Sequence, residues 1–154
     1  MSTKKDERIQ RVHSITDPSI AKLFEGKNFA FLATLMKDGS PQVTATWVDI
    51  DRNNNYTILV NTAEGRVKHR NISRDPRVAV SIIDSSNPYH MVSVRGKVTE
   101  QIKGKDAEEH IDKMAKKYID KEKYPRRRLG EERLLLRIKP QHVVHWKSDG
   151  HHQE

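Results

Sequence analysis

The spacing of apolar side chains along the chain switches between helical and strand periods, and the switches outline its elements. Residues 1–13 carry few large apolar groups and read as a mobile N-terminal arm. Thr16-Asp17-Pro18-Ser19 then offers a helix start, with proline where a missing N–H costs nothing. Ile20, Leu23 and Phe24 make one apolar face of a short helix ending near Gly26. From Phe29 the run FAFLATLM has strand length, and Asp38-Gly39 follows as a hairpin turn. Residues 42–50 alternate: Val43, Ala45 and Trp47 face one way, Thr44, Thr46, Val48 and Ile50 the other. After a turn at 51–55, residues 56–60 give a third strand, and these three are expected to form an antiparallel meander.

Residues 66–74 fit a short basic helix, stopped by the restriction that Pro76 places on Asp75. Strands are predicted at 78–83 and 91–101, separated by the turn at 84–88; Gly96 inside the second implies a bulge or a close backbone approach. Residues 107–118 are helical by spacing, with Ile111, Met114, Ala115 and Tyr118 on one face. Tyr124-Pro125 opens a loop that carries Arg126, Arg127 and Arg128, and residues 133–139 and 142–146 supply the last strand or two. Roughly six or seven strands and a few short helices predict a mainly β (α+β) domain. Its expected architecture is a closed or nearly closed antiparallel barrel, since closure removes exposed edges.

Composition adds constraints to this outline. A hydrophobic fraction of 34% and a mean hydropathy of −0.84 imply a thin core, which a second subunit would help to bury. There is no apolar run of membrane-spanning length and no charged-then-apolar leader, so neither a membrane span nor Sec export is expected. The chain has no cysteine, which excludes disulfides, thiolate nucleophiles and Cys-metal sites and makes a reducing cytoplasm the expected compartment. A formal charge of +8 attracts nucleic acid, acidic lipid or a phosphorylated small molecule alike.

The segment from Val60 to Asn71 concentrates the candidate chemistry. A strand ends in Asn61 and Thr62, Ala63-Glu64-Gly65 makes a turn, and a helix follows whose first turn holds Arg66 and Lys68. A helix N-terminus flanked by cations is a phosphate cradle; the same spacing also describes a solvated basic helix that caps the barrel. Neither P-loop nor dinucleotide-fingerprint spacing is present. The histidines are scattered without an H-E-x-x-H pattern, so no metal site is expected, and no serine sits in a G-x-S-x-G setting. Acidic residues interleave with the basic clusters and no strand carries an RNP-like aromatic pattern, which makes nucleic acid an unlikely partner.

The runs VNTAEGRVKHRNISRDPRVAVSIID and NPYHMVSVRGKV resemble the flavin/deazaflavin oxidoreductase superfamily. Within it the chain is similar to the pyridoxamine 5′-phosphate oxidase-like branch of coenzyme F420-dependent enzymes; FAFLATLMKDGSPQVTATWVDID, EEHIDKMAKKYIDKEKYP and RLLLRIKPQHVV extend the likeness to about residues 24–146. The resemblance implies an FMN-binding type of split β-barrel over residues 14–147, with a tail at 148–154, assembled as a homodimer with cofactor sites at the subunit interface. It implies an oxidoreductase using coenzyme F420 for hydride transfer to a small conjugated substrate, with FMN, or a non-catalytic flavin carrier, as the alternative. It implies that the cofactor's phosphate-bearing tail rests on Asn61, Thr62, Ala63, Glu64, Gly65, Arg66 and Lys68, and that the ring lies against Thr44, Ala45, Thr46 and Trp47. Tyr89, His90 and Met91 would come from the partner subunit, with His90 and Tyr89 as candidate proton donors. The strand cations and the C-terminal Arg-x-His with which pyridoxamine phosphate oxidase itself binds its ligands have no counterpart here, so vitamin B6 oxidation is not expected.

Overall fold

The computed structural model describes residues 15–148 and the backbone of residues 9–12. The elements are β1 (Ile9–Val12), α1 (Pro18–Glu25), β2 (Ala30–Leu35), β3 (Pro41–Thr46), β4 (Asp49–Asp51), β5 (Thr57–Ala63), α2 (Val67–Arg74), β6 (Arg77–Ile83), β7 (His90–Ile102), α3 (Lys105–Ile119) and β8 (Arg133–Lys147). All pairings are antiparallel, in the order β3-β2-β6-β7-β8-β5-β4, and β1 also pairs with β8. Residues 9–12, within the stretch read as an arm, are thus a strand. The rest of that arm and residues 149–154 of the tail lie outside the described residues.

The mainly β architecture agrees with a split barrel, but among the described residues the sheet does not close by hydrogen bonding: β3 and β4 end the strand order, and β1 lies on β8 as a further edge. The expected three-strand meander is also corrected. Among the described residues β3 pairs only with β2, and β5 takes β4 as its hairpin partner, so the chain passes from one sheet edge to the other through Trp47 and Val48. Backbone groups that leave a ladder need other partners, and α3 supplies them. Val48 N–H donates to Tyr118 Oη (3.1 Å), while Lys117 Nζ donates to the carbonyls of Val48 and Phe24 (2.7 Å each). Tyr118 Oη in turn donates to Asn28 O (2.6 Å). Burial raises the Tyr118 hydroxyl to about 12 and lowers the Lys117 ammonium to about 8.

One face of the sheet wraps a core in which Ile58, Leu32, Ile82, Leu134, Leu136 and Ile138 are fully buried. α1 closes it with Ile20 and Phe24, started by Asp17, whose carboxylate accepts from Ser19 N–H (2.8 Å). α3 packs on the other side of β5 and β8, where Leu59, Ala107 and Leu135 make a separate small cluster. β8 is one continuous strand rather than two. Its register with β7 slips at Arg95/Gly96, where Gly96 lies opposite Pro140. A Cβ on Gly96 would fall 2.2 Å from Lys139 O, so glycine is required by close backbone approach.

Candidate functional site

A cleft of about 420 Å³ opens between β3, the N-terminal end of α2, α3 and the loop that follows α3. Strand alternation decides what β5 gives it. Leu59 and Asn61 face α3, whereas Ile58, Val60 and Thr62 face the core; Asn61 lines the cleft and Thr62 is completely buried. One wall is apolar and aromatic: Ala45, Thr46, Trp47, Phe29, Ile111 and Tyr124. Trp47 stacks on Tyr118 (centroids 5.3 Å apart, planes 3° from parallel) and meets Tyr124 edge-on at 5.9 Å. These contacts fix an indole beside open volume.

The opposite wall is cationic. Arg66, Lys68, Arg126 and Arg133 all line it. Lys68 is half-buried with no hydrogen-bond or ion-pair partner among the described residues; burial, then Arg66 and Arg133, push its ammonium below the ordinary lysine range. Arg133 is 3% exposed. Its Nε donates to Asn61 Oδ1 (2.9 Å) and its guanidinium lies 5.1 Å from the Tyr124 ring centre. Its Nη1 has no hydrogen-bond partner and faces Glu131 Oε2 at 3.5 Å. The other oxygen of Glu131 meets Arg66 Nη2 at 3.3 Å. One carboxylate therefore faces a cluster of several cations, and the electrostatic balance of the cleft favours a further anion.

α2 begins at Val67 after Arg66 in the N-cap position, and no side chain caps it. Gly65 has φ +86°, a left-handed conformation suited to glycine. The amides of the turn are committed elsewhere: Glu64 N–H to Glu132 O (2.9 Å), Gly65 N–H to His69 Nδ1 (2.9 Å) and Arg66 N–H to Ala63 O (3.3 Å). An anion here would meet side chains and the first amides of α2, not the turn. Ala63, Glu64 and Gly65 instead border a shallower depression beyond Arg66, shared with Leu129 and Gly130.

Of the residues expected in the site, Ala45, Thr46, Trp47, Asn61, Arg66 and Lys68 come together in the cleft. Thr44 lies opposite Leu32 and does not line it. Tyr89, His90 and Met91 do not line the cleft of their own chain. His90 points inward, following the period of Val92 and Val94; its Nε2 lies 2.9 Å from His145 Nε2, and it is 7% exposed. Burial, then His145 and Lys147, hold the His90 imidazole below the usual histidine range, which suits a neutral packed ring better than a proton donor to a ligand. Tyr89 is exposed and Met91 half-buried. Among the three arginines of the loop, Arg126 reaches the cleft. Arg127 is tied to Glu108 and Asp112 on α3, and the Tyr124 N–H donates to Asp112 (2.9 Å), which fastens the loop down.

Sequence reasoning missed Arg133 and Phe29. An arginine at the head of RLLLRIK reads as a polar strand boundary, and only the packing of α3 and Tyr124 over it reveals a buried cation.

The pyridoxamine 5′-phosphate oxidase family model matches residues 16–147. A solved structure described as F420 reductase shares 28% identity, covering 79% of this chain and 93% of that one, with a TM-score of 0.64. A conserved hypothetical protein from Mycobacterium tuberculosis shares 23% identity over 90% of this chain and 89% of that chain, with a TM-score of 0.69. A pyridoxamine 5′-phosphate oxidase-like protein from Lactobacillus delbrueckii shares 20% identity over 88% and 98%, with a TM-score of 0.57. The last two likenesses bear on the fold alone.

Proposed function

The chain belongs to the pyridoxamine 5′-phosphate oxidase family, whose fold holds flavin or deazaflavin cofactors, and from that premise we propose that it is an oxidoreductase using coenzyme F420. The observation that carries this reading is the pairing of an aromatic wall with a cation cluster short of counter-charge, in which half-buried Lys68 has no partner among the described residues. The residues fit the cofactor: a flat ring needs an apolar wall such as Ala45 to Trp47, and a phosphate needs Arg66, Lys68 and the uncapped start of α2. Arg126 at the mouth adds charge for the acidic tail that distinguishes F420 from FMN.

When bound, the deazaflavin supplies the hydride chemistry, and the protein supplies placement. Arg66 and Lys68 anchor the phosphate, and Trp47, braced by Tyr118, sets the depth of the ring. The open side of the cleft, bounded by Phe29 and Tyr124, receives a small conjugated organic substrate. Phe31, Ala45, Ser81, Ser93 and Val144 stand in one row on the outer face of five strands, beside a second row of Val43, Ala33, Ala79, Arg95 and His142. Phe31, Val43 and Val144 are 45%, 58% and 41% exposed there. Apart from Arg95 and His142 these rows are small or apolar, which supports a homodimer, in which a second copy would cover the face and bring Tyr89 and Met91 toward the neighbouring cleft.

Absorption spectroscopy and mass spectrometry of ligand released from the purified protein test the choice of cofactor. Titration with coenzyme F420, followed by its fluorescence, should give a dissociation constant that Arg66→Ala with Lys68→Ala raises by about a hundredfold. Equal affinities in the two proteins, or FMN copurifying at full occupancy, would overturn the reading.

A further inference from the structure

Behind the cleft wall lies a buried polar chain. We infer that Asp49, His110 and Asn61 are positioning residues for Arg133, and that Arg133 is an anion-binding residue of the cleft. The inference rests on the anion-binding reading given above.

The chain can be followed atom by atom through donors and acceptors. A guanidinium only donates, so the Asn61 atom 2.9 Å from Arg133 Nε is the carbonyl Oδ1. The amide Nδ2 then carries two hydrogens to place, and it has two acceptors: Ala107 O at 2.9 Å and His110 Nδ1 at 3.2 Å. His110 Nδ1 must therefore present a lone pair, which puts the ring hydrogen on Nε2. That atom makes no hydrogen bond and faces Asp49 Oδ2 at 3.5 Å, within ion-pair range. Asp49, His110 and Arg133 are 6%, 7% and 3% exposed, so water does not compete for these contacts. A carboxylate at one end fixes the tautomer of an imidazole, the imidazole helps to fix the turn of an amide, and the amide fixes the edge of a guanidinium.

The consequence lies at Arg133. Asn61 holds its Nε, Tyr124 covers its face, and the remaining fork edge is left beside Lys68 and Arg66 with only the shared carboxylate of Glu131 opposite. Nη1 is enclosed beside Glu131, so the guanidinium, held by edge and face, is preorganised to offer Nη2 to a phosphate oxygen in the cleft. None of the three positioning residues need touch the ligand. Lys113 Nζ also meets Asp49 Oδ2, at 3.2 Å, from the solvent side.

Titration of the full chain with inorganic phosphate tests the arrangement. Arg133→Met is expected to weaken phosphate binding about tenfold, and His110→Leu about fivefold. His110→Asn should stay within about twofold of wild type, because its Oδ1 takes the place of Nδ1 and still accepts from Asn61. A packing role alone would favour leucine over asparagine at this buried position, so equal affinities in the Leu and Asn variants would overturn the positioning role. Nitrogen-15 NMR of the wild-type imidazole gives an independent reading that needs no variant. The Nε2–H tautomer at His110 is expected, and the Nδ1–H tautomer would overturn the chain of contacts. Phosphate binding that Arg133→Met leaves unchanged would remove this inference and spare the anion site. Wild-type protein that does not bind phosphate would remove both.

Discussion

Two buried histidine sites in this small domain meet opposite surroundings. His110, on α3, meets Asn61 through Nδ1 and faces the carboxylate of Asp49 through Nε2 at 3.5 Å, an approach in ion-pair range rather than a formed hydrogen bond. His90 and His145, inside the barrel, face each other through Nε2 atoms 2.9 Å apart. One hydrogen lies between those two atoms, so one ring donates and the other accepts. Burial comes first in holding both imidazoles below the ordinary histidine range; His145 and Lys147 add to it for His90, and Lys147 for His145, while Asp84 and Asp17 act against it from nearby. At Asp49 burial again comes first and would raise the carboxyl, yet the His110 contact, the Ile50 N–H and the charge of Lys113 outweigh it and bring the group down to about 2. Burial weakens a charge that meets its like and tolerates one that meets its opposite.

Removing the carboxylate should give the largest effect. Asp49→Ala removes the buried carboxylate that His110 Nε2 faces and that Lys113 pairs with, and a loss of about 3 kcal/mol is expected in urea unfolding. In the wild type the contribution of Asp49 is present above 3.8 and fades as pH falls toward about 2. A loss below about 1 kcal/mol in the alanine variant would place Asp49 outside the buried network.

The histidine pair should respond to mild acid instead. Its folded values lie below 6.5, so in that window the unfolded chain binds more protons, and stability must fall as pH drops. His145→Gln keeps a polar partner for His90 but removes one titrating ring, and the fall in melting temperature between about pH 7 and about pH 5 should shrink by roughly half. An unchanged slope would assign the acid sensitivity to other groups. The smallest effect belongs to Lys113, whose side chain is 69% exposed beside Asp49. Lys113→Ala should change stability by less than about 0.5 kcal/mol, because solvent screens that half of the contact. A larger change would mean that the carboxylate depends on its surface partner more than on His110.

The comparison also shows which features a sequence displays. α1 was legible from Asp17-Pro18, the β2–β3 turn from Asp38-Gly39, and the Gly96–Pro140 irregularity from a lone glycine in a strand, because each depends on local backbone chemistry. The break at Trp47 and Val48 has no glycine or proline to announce it; its cause is Tyr118 and Lys117, about 70 residues away. Arg66, Lys68 and Asn61 were legible as neighbours in one cleft because they crowd one strand–turn–helix segment. Arg133 was not, because it comes from the far end of the chain and its burial depends on α3. His90 could have been placed inside by the alternation it shares with Val92 and Val94, had the strand been started one residue earlier.

The crossover at Trp47 and Val48 also sets an order of events during folding. The contact from Val48 to Tyr118 closes a loop of 70 residues, and that closure is reached only after α3 has formed and docked. The β2–β3 hairpin, by contrast, is joined through a turn of five residues, 36–40, and needs nothing from the C-terminal half. Trp47 is therefore expected to reach its stacked position only with Tyr118, while Trp146 on β8 reports the β7–β8 ladder. In a refolding experiment, a variant with Trp146→Phe would leave Trp47 as the one indole of the chain, a reporter of α3 docking on the crossover.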